Sequence, residues 1–315
     1  MLTNSLLDPQ EIEKEKLVIR NELNLIEDNA DDKGHELYLK QMWNGHPLSR
    51  RITGESSQIK EITAAGLQDF YKERFGLSNM VITAAGKINS EVILSRLQKV
   101  LKRDRTCRFH TLRKPPQRIR SWKIISGKFE QVHLFSGLCY ALSGEIKEYF
   151  NELVFSTLFG ESMSSRLFQR LREAEGLCYA VSTFRSYYSD TALWTIYANV
   201  VPESVSRLLD SLETELRRLL LEPPGRAEVG DAKSQLKGNF TLAKEDMENR
   251  MKRLLRQYVL TGQVLEHPET MSLLAAVSVE DVMSVIERLI KPENFNLLAY
   301  GNKKLKSLKK KKYCF

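Results

Sequence analysis

Cysteine is scarce in this chain, with four in 315 residues at Cys107, Cys139, Cys178 and Cys314. None stands in a C-x-x-C pair, which excludes a zinc knuckle and leaves no disulfide framework. All four are read as reduced thiols, and Cys139 and Cys178 sit in apolar stretches that make them core residues. Histidine is scarce as well: His35, His46, His110, His133 and His267 are the five, and no two of them form H-x-x-E-H. The stretch "GHELYL" opens like H-E-x-x-H but carries Leu39 where the second imidazole would stand. No apolar run is long enough to span a bilayer, so no membrane insertion is expected. The opening "MLTNSLLDPQ" has neither the basic region nor the apolar core of a secretory signal, so a cytoplasmic location is expected.

What is present is enough apolar material, 42% of residues, for two domain-sized cores. The net charge of +8 is concentrated in "RKPPQRIR" (Arg113 to Arg120) and in the tail "KKLKSLKKKK" (Lys303 to Lys312). Neither is accompanied by an RNA-binding aromatic signature, and the tail has no apolar face. Both are read as solvated segments, and nucleic-acid binding is not expected.

Two segments echo each other without a gap, "ITAAGLQDFYKERFGLSNMVITAAG" (Ile62 to Gly86) and "VSVEDVMSVIERLIKPENFNLLAYG" (Val277 to Gly301), at an offset of 215. Each opens a helix on a capping hydroxyl, Thr63 or Ser278. Each then passes an Asn, Asn79 or Asn294, into a short apolar strand ending at Gly86 or Gly301. Upstream, "SLLDP" from Ser5 answers "LLLEP" from Leu219 at an offset of 214. The second copy holds further strands in "FEQVHLFSGLCYAL", "LCYAVSTFRSYY" and "TALWTIYANV". Its further helices are "EIKEYFNELVFSTLF", "MSSRLFQRLREAE" and "PESVSRLLDSLETELRRLL". Met1 falls opposite Glu215, so the first copy is short of roughly 90 residues of this material.

The expected fold is α+β. It comprises two repeated α/β half-units, each an antiparallel-rich sheet covered by helices, the first lacking its N-terminal strands. Residues 1–105 form the truncated first half, 106–126 a Pro/Arg-rich linker, 127–302 the second half and 303–315 a basic tail. A half-unit without its first strands leaves a sheet edge and an apolar helix face to be covered.

"EIEKEKLVIRNEL" reads as a helix with Glu15 and Glu22 seven residues apart, two turns along one face. By itself such a pair is a solvated charged face. The order of several stretches adds to this. "EIEKEKLVIRNELNLIEDNADD", "WNGHPLSRRITGE", "FYKERFGLSNMVITAAGKI", "SMSSRLFQRLREAEGLCYAVSTF" and "KPENFNLLAYG" together resemble the pitrilysin/insulinase metallopeptidases. The branch they are most similar to is that of the mitochondrial processing peptidase. The resemblance implies two similar halves and an unfolded peptide substrate bound as an added strand. It also implies a Zn²⁺ held by H-x-x-E-H on a helix together with a Glu from a later helix. Glu22 matches that third zinc ligand, and Glu15 the supporting acid two turns before it.

The histidine helix of that family has no counterpart in this sequence. One carboxylate does not hold Zn²⁺ usefully, so the chain by itself is expected to lack peptidase activity. The resemblance assigns His46 to a loop, and His35, after the acidic turn, is read as structural. In the second half the resemblance makes Arg172 and Tyr179 substrate-binding residues that hold peptide carbonyls. Where the family shows a glycine run, this chain has Glu161 and Ser162. The expected partners are a peptide substrate and a related peptidase subunit in a homo- or heterodimer. A non-zinc partner subunit or scaffold of a processing-peptidase-like heterodimer is the alternative role.

Overall fold

The computed structural model describes residues 5–101, 113–117, 120–291 and 294–307. Cys107, His110, Arg118, Cys314 and the tail from 308 onward lie outside the described residues. In chain order the helices before the sheet are α1 (Pro9–Asp28), α2 (Ala30–Met42), α3 (Ser56–Glu61), α4 (Ala64–Arg74) and α5 (Ser90–Val100). Then come β1 (Trp122–Ser126), β2 (Val132–Ala141), α6 (Ile146–Ser156), β3 (Cys178–Tyr187) and β4 (Thr191–Val200). The remainder is α7 (Val205–Leu221), α8 (Arg226–Ala243), α9 (Met247–Thr261), α10 (His267–Ala276), α11 (Val279–Leu289) and β5 (Asn296–Gly301). Wide π-type helical turns at Thr157–Glu161 and Phe168–Ala174 connect α6 to β3.

Two compact units result, and neither is a continuous stretch of chain. One comprises Met1–Asp28, Arg51–Lys114 and Ala243–Gly262; the other comprises Asn29–Arg50, Pro115–Leu242 and Gln263–Phe315. Helix α2, grouped with the first half by sequence order, thus belongs to the unit built on the second-half sheet. Strand β1 lies within the stretch read as linker.

That sheet has the order β1-β5-β2-β4-β3, with β1 parallel to β5 and the other pairs antiparallel. Its strands are apolar on both faces, because both faces are covered. On β2, Val132, Leu134, Leu138 and Tyr140 enter the larger core, while Phe135 and Cys139 point the other way. On β4, Ala192, Trp194, Ile196 and Ala198 join the first set and Leu193 the second. Helices α6, α7, α8 and α11 supply the larger core, in which Trp194 packs on Phe155 and Phe159 at ring separations of 5.5 and 5.8 Å.

Helix α2 covers the opposite face. Asn29 caps it, its side chain accepting from the Asp31 and Asp32 amides. Tyr38, Met42 and Trp43 are buried against Phe135, Cys139, Leu193, Leu298 and Tyr300. A Cβ on Gly34 would come within 2.7 Å of the Phe135 ring, so the helix backbone lies close to β2. Gln41 donates through Nε2 to the carbonyls of Ser121 and Leu297 at 2.8 and 3.0 Å, which pins the helix to the β1 and β5 side.

Two imidazoles stand on this face. His35 sits between Phe135 and Phe184, its centroid 6.2 and 5.7 Å from theirs. His133 Nδ1 is 2.9 Å from the Tyr197 hydroxyl. Burial lowers both pKa values from the ordinary 6.5, against opposing carboxylates at Asp31 for both and at Asp32 and Glu36 for His35. A depressed folded-state pKa means that the unfolded chain takes up the proton first. The stabilisation is present above 6.5 and is lost as pH falls from there toward the folded values. The melting temperature is therefore expected to drop between about pH 7 and pH 5. In His35→Phe that slope should be shallower, which thermal unfolding across the pH range will read.

The other unit gathers α1, α3, α4, α5 and α9. The two echoing segments share some local features. Thr63 accepts from the Gly66 amide at the head of α4, as Ser278 accepts from Asp281 at the head of α11. Gly86 and Gly301 share nearly the same backbone angle, φ 137° and 141°. The expected strand ending at Gly86 is not formed: residues 80–85 are assigned no strand. Their counterpart β5 is a strand because β1 and β2 flank it, and the described residues around 80–85 offer no such ladder.

Candidate functional site

Glu15 and Glu22 lie on α1, whose first turn is capped by Asp8; its Oδ1 accepts from the Gln10 and Glu11 amides at 2.8 and 3.2 Å. Both carboxylates are exposed. Glu11, Glu13 and Glu27 form ion pairs with Lys14, Lys16 and Arg51. Glu15 and Glu22 have no ion pair among the described residues. At the repeat offset of 214 they correspond to Val229 and Leu236 on α8, both buried in the larger core. Two helical positions thus carry exposed carboxylates on α1 and buried hydrocarbon on α8.

Among the described residues no group of three or more His, Cys, Asp or Glu side chains converges as a metal would need. His35 and His133 are engaged on the α2 face. His46 caps the short helical turn Pro47–Ser49, its Nδ1 accepting from the Leu48 amide at 3.3 Å. The described residues therefore do not fit Zn²⁺ on their own, since a catalytic site uses three protein ligands and an open position.

Arg172 and Tyr179 flank one sharp turn. The helical stretch Phe168–Ala174 ends where the Gly176 amide donates to the Arg172 carbonyl and the Leu177 amide to that of Leu171. Gly176 takes φ 59°, a left-handed conformation suited to glycine. The chain then enters β3, the edge strand, through a register shift between Cys178 and Ala180. Tyr179 is the extra residue of that bulge, which turns its ring outward, 64% exposed. The exposed Arg172 guanidinium lies 4.8 Å over the Phe168 ring, which fixes the donor fork at the same corner. Burial pushes the neighbouring Cys178 thiol up to about 11 even with Arg172 nearby, so no thiolate nucleophile is offered here.

The edge strand has a stiff backing that sequence reading did not find. Glu161, which stands in place of a family glycine, accepts from Arg185 Nε at 3.1 Å. Arg185 approaches the Tyr187 hydroxyl, which donates to buried Glu152 at 2.7 Å, as does Tyr140. Arg288 on α11 donates to the second oxygen of Glu152 at 2.7 Å. Gln169 donates to the Met163 carbonyl, and the Ser165 hydroxyl to that of Ser162. The 161–165 loop is thereby held by named bonds. The acidic residues of "SGEIKEYFNEL" and the lone Arg185 of "STFRSYY" are the available signal, but they do not specify the pairing.

Comparison with known proteins gives these features a family. The model of the peptidase M16 inactive domain matches residues 61–236, more than half of the chain. The chain belongs to the peptidase M16 family. An uncharacterized zinc protease of Rickettsia felis is 27% identical over 292 residues, covering 92% of this chain and 70% of that relative. One from Bacillus subtilis is 28% identical over 290 residues with the same coverage. The crystal structure of a peptidase M16 inactive domain from Pseudomonas fluorescens superposes with a TM-score of 0.83 at 17% identity, over 96% of this chain and 72% of that one. This M16 chain thus shares the fold. None of its described helices is long and apolar enough to cross a membrane.

Proposed function

We propose that this M16 chain is the peptide-holding portion of a zinc metalloendopeptidase of the processing-peptidase branch, without activity by itself. The observation that carries the reading is the corner at Gly176. There a bulged Tyr179 and a ring-seated Arg172 present hydroxyl and guanidinium donors beside a sheet edge. An extended peptide laid along that edge offers carbonyl oxygens to both donors. In this reading the exposed carboxylate of Glu22 is the one metal ligand that the chain contributes, and Glu15 supports it. The imidazoles lie outside the residues of this sequence, and a related peptidase subunit is the proposed partner.

The test uses the full chain. A fluorescein-labelled unstructured peptide should bind, and Arg172→Ala and Tyr179→Phe should each weaken it about 5- to 20-fold by anisotropy, the loss of one or two hydrogen bonds. Metal analysis should find well under one zinc per chain, and no cleavage of the labelled peptide should occur. Stoichiometric zinc with cleavage by the chain alone would overturn the reading.

A further inference from the structure

Asparagine recurs along this chain, but an asparagine followed by glycine occurs once, at Asn44–Gly45 in "MWNGHP". The pair forms the turn by which the chain leaves α2. Across it the His46 amide donates to the Trp43 carbonyl at 2.7 Å. Gly45 takes φ 79° while Asn44 keeps an ordinary negative φ, the type II arrangement with glycine at its third position. Both residues are exposed. Neither the Asn44 side chain nor the Gly45 amide has a hydrogen-bond partner among the described residues. Nothing lies within 4 Å of the place where a Gly45 Cβ would stand, so the turn can rotate without meeting a neighbour.

Other described asparagines are held back from the chemistry this permits. Asn29 and Asn89 use their side-chain oxygens to cap α2 and α5. Asn302 donates through Nδ2 to the Phe129 carbonyl at 2.9 Å. Most of the rest lie inside helices or β4, where the amide that follows is bonded within the element.

We propose that Asn44 is a self-modification site, which converts to aspartyl and isoaspartyl residues and thereby loosens α2. The Gly45 amide nitrogen attacks Asn44 Cγ. The new Cγ–N bond closes a five-membered succinimide, the Cγ–Nδ2 bond breaks, and the amide proton departs with Nδ2 as ammonia. Water then adds across one of the two imide C–N bonds. The product is aspartate or, with the main chain rerouted through Cγ, isoaspartate. Nothing is oxidised or reduced, and water is the only co-reactant. Glycine matters because no side chain hinders the attacking nitrogen. Either product sets a carboxylate just past the end of α2, where the helix dipole is already negative. Isoaspartate also adds a methylene to the main chain inside the turn, which disrupts the bond from His46 to Trp43. Trp43 caps α2 and is buried in the smaller core, so both changes reach the grip of that helix on the sheet. The proposal does not depend on the peptidase reading.

The test ages the purified full chain at mildly alkaline pH and physiological temperature and follows it by peptide mapping. The Asn44 peptide should acquire the mass of amide-to-acid exchange at least about tenfold faster than the peptides of Asn29, Asn89 or Asn302, whose conversion needs local opening first. Part of that product should accept a methyl group from S-adenosylmethionine in the presence of an isoaspartyl methyltransferase. In the aged chain the amides of Tyr38 to Trp43 should exchange at least about tenfold faster than in the fresh chain. Asn44→Gln, whose longer arm would have to close a six-membered ring, should age without either change. Conversion at Asn44 no faster than at the other asparagines would overturn the proposal. So would conversion that leaves the exchange of α2 unchanged, or equal loosening in aged Asn44→Gln.

Discussion

Trp43→Ala is expected to destabilise the sheet-bearing unit by about 3–5 kcal/mol, the usual cost of emptying a large aromatic site in a core. Trp43 is 1% exposed and meets Tyr188 edge-on at 5.8 Å. It ends α2, the only described helix in the smaller core, where Tyr38 and Met42 precede it. Its loss empties the site and loosens the helix that covers this face of β2 and β5. A chain built of two compact units is not expected to unfold in one two-state step, so one global transition is a poor measure. The suitable readout is amide exchange of β2 and β5 under urea, where protection should fall by two orders of magnitude or more. A change below about tenfold would show that α2 adds little to that face.

Gly301→Ala should be at least as damaging, and Gly86→Ala much less so, although both glycines share nearly one backbone angle. The angle itself costs a non-glycine residue about 1–3 kcal/mol. Only at Gly301 does the new methyl also press on a backbone carbonyl inside a buried ladder, which puts the total beyond about 4 kcal/mol. The comparison is to be made by amide exchange under urea in the unit that holds each glycine.

Much of the second half was legible because its elements have clean periods. β2 and β4 read as strands from "HLFSGLCYAL" and "TALWTIYANV", and α7 from its strongly one-sided pattern. β1 was hidden, since "SWKII" follows a run of Arg and Pro that reads as linker. Residues 80–85 read as a strand by composition, but a strand exists only through its neighbours, and composition does not report those. The face shared by Glu15 and Glu22 followed from helix geometry alone. The bulge that aims Tyr179 and the pairing of Glu161 with Arg185 did not, because both depend on partners far away in the chain. The lodging of α2 under the second-half sheet was equally invisible: its apolar residues announce a buried face without naming what buries it.

Strand order sets a timetable for synthesis. β5 occupies a place between β1 and β2, yet it is made more than 150 residues after either of them. While the ribosome is still translating α7 to α11, β1 has no hydrogen-bonding neighbour and the inner edge of β2 stays open. Such late closure is slow and exposes apolar strands to other nascent chains. Residues 296–301 are therefore the keystone, and a ribosome stalled before them should release a product that chaperones retain.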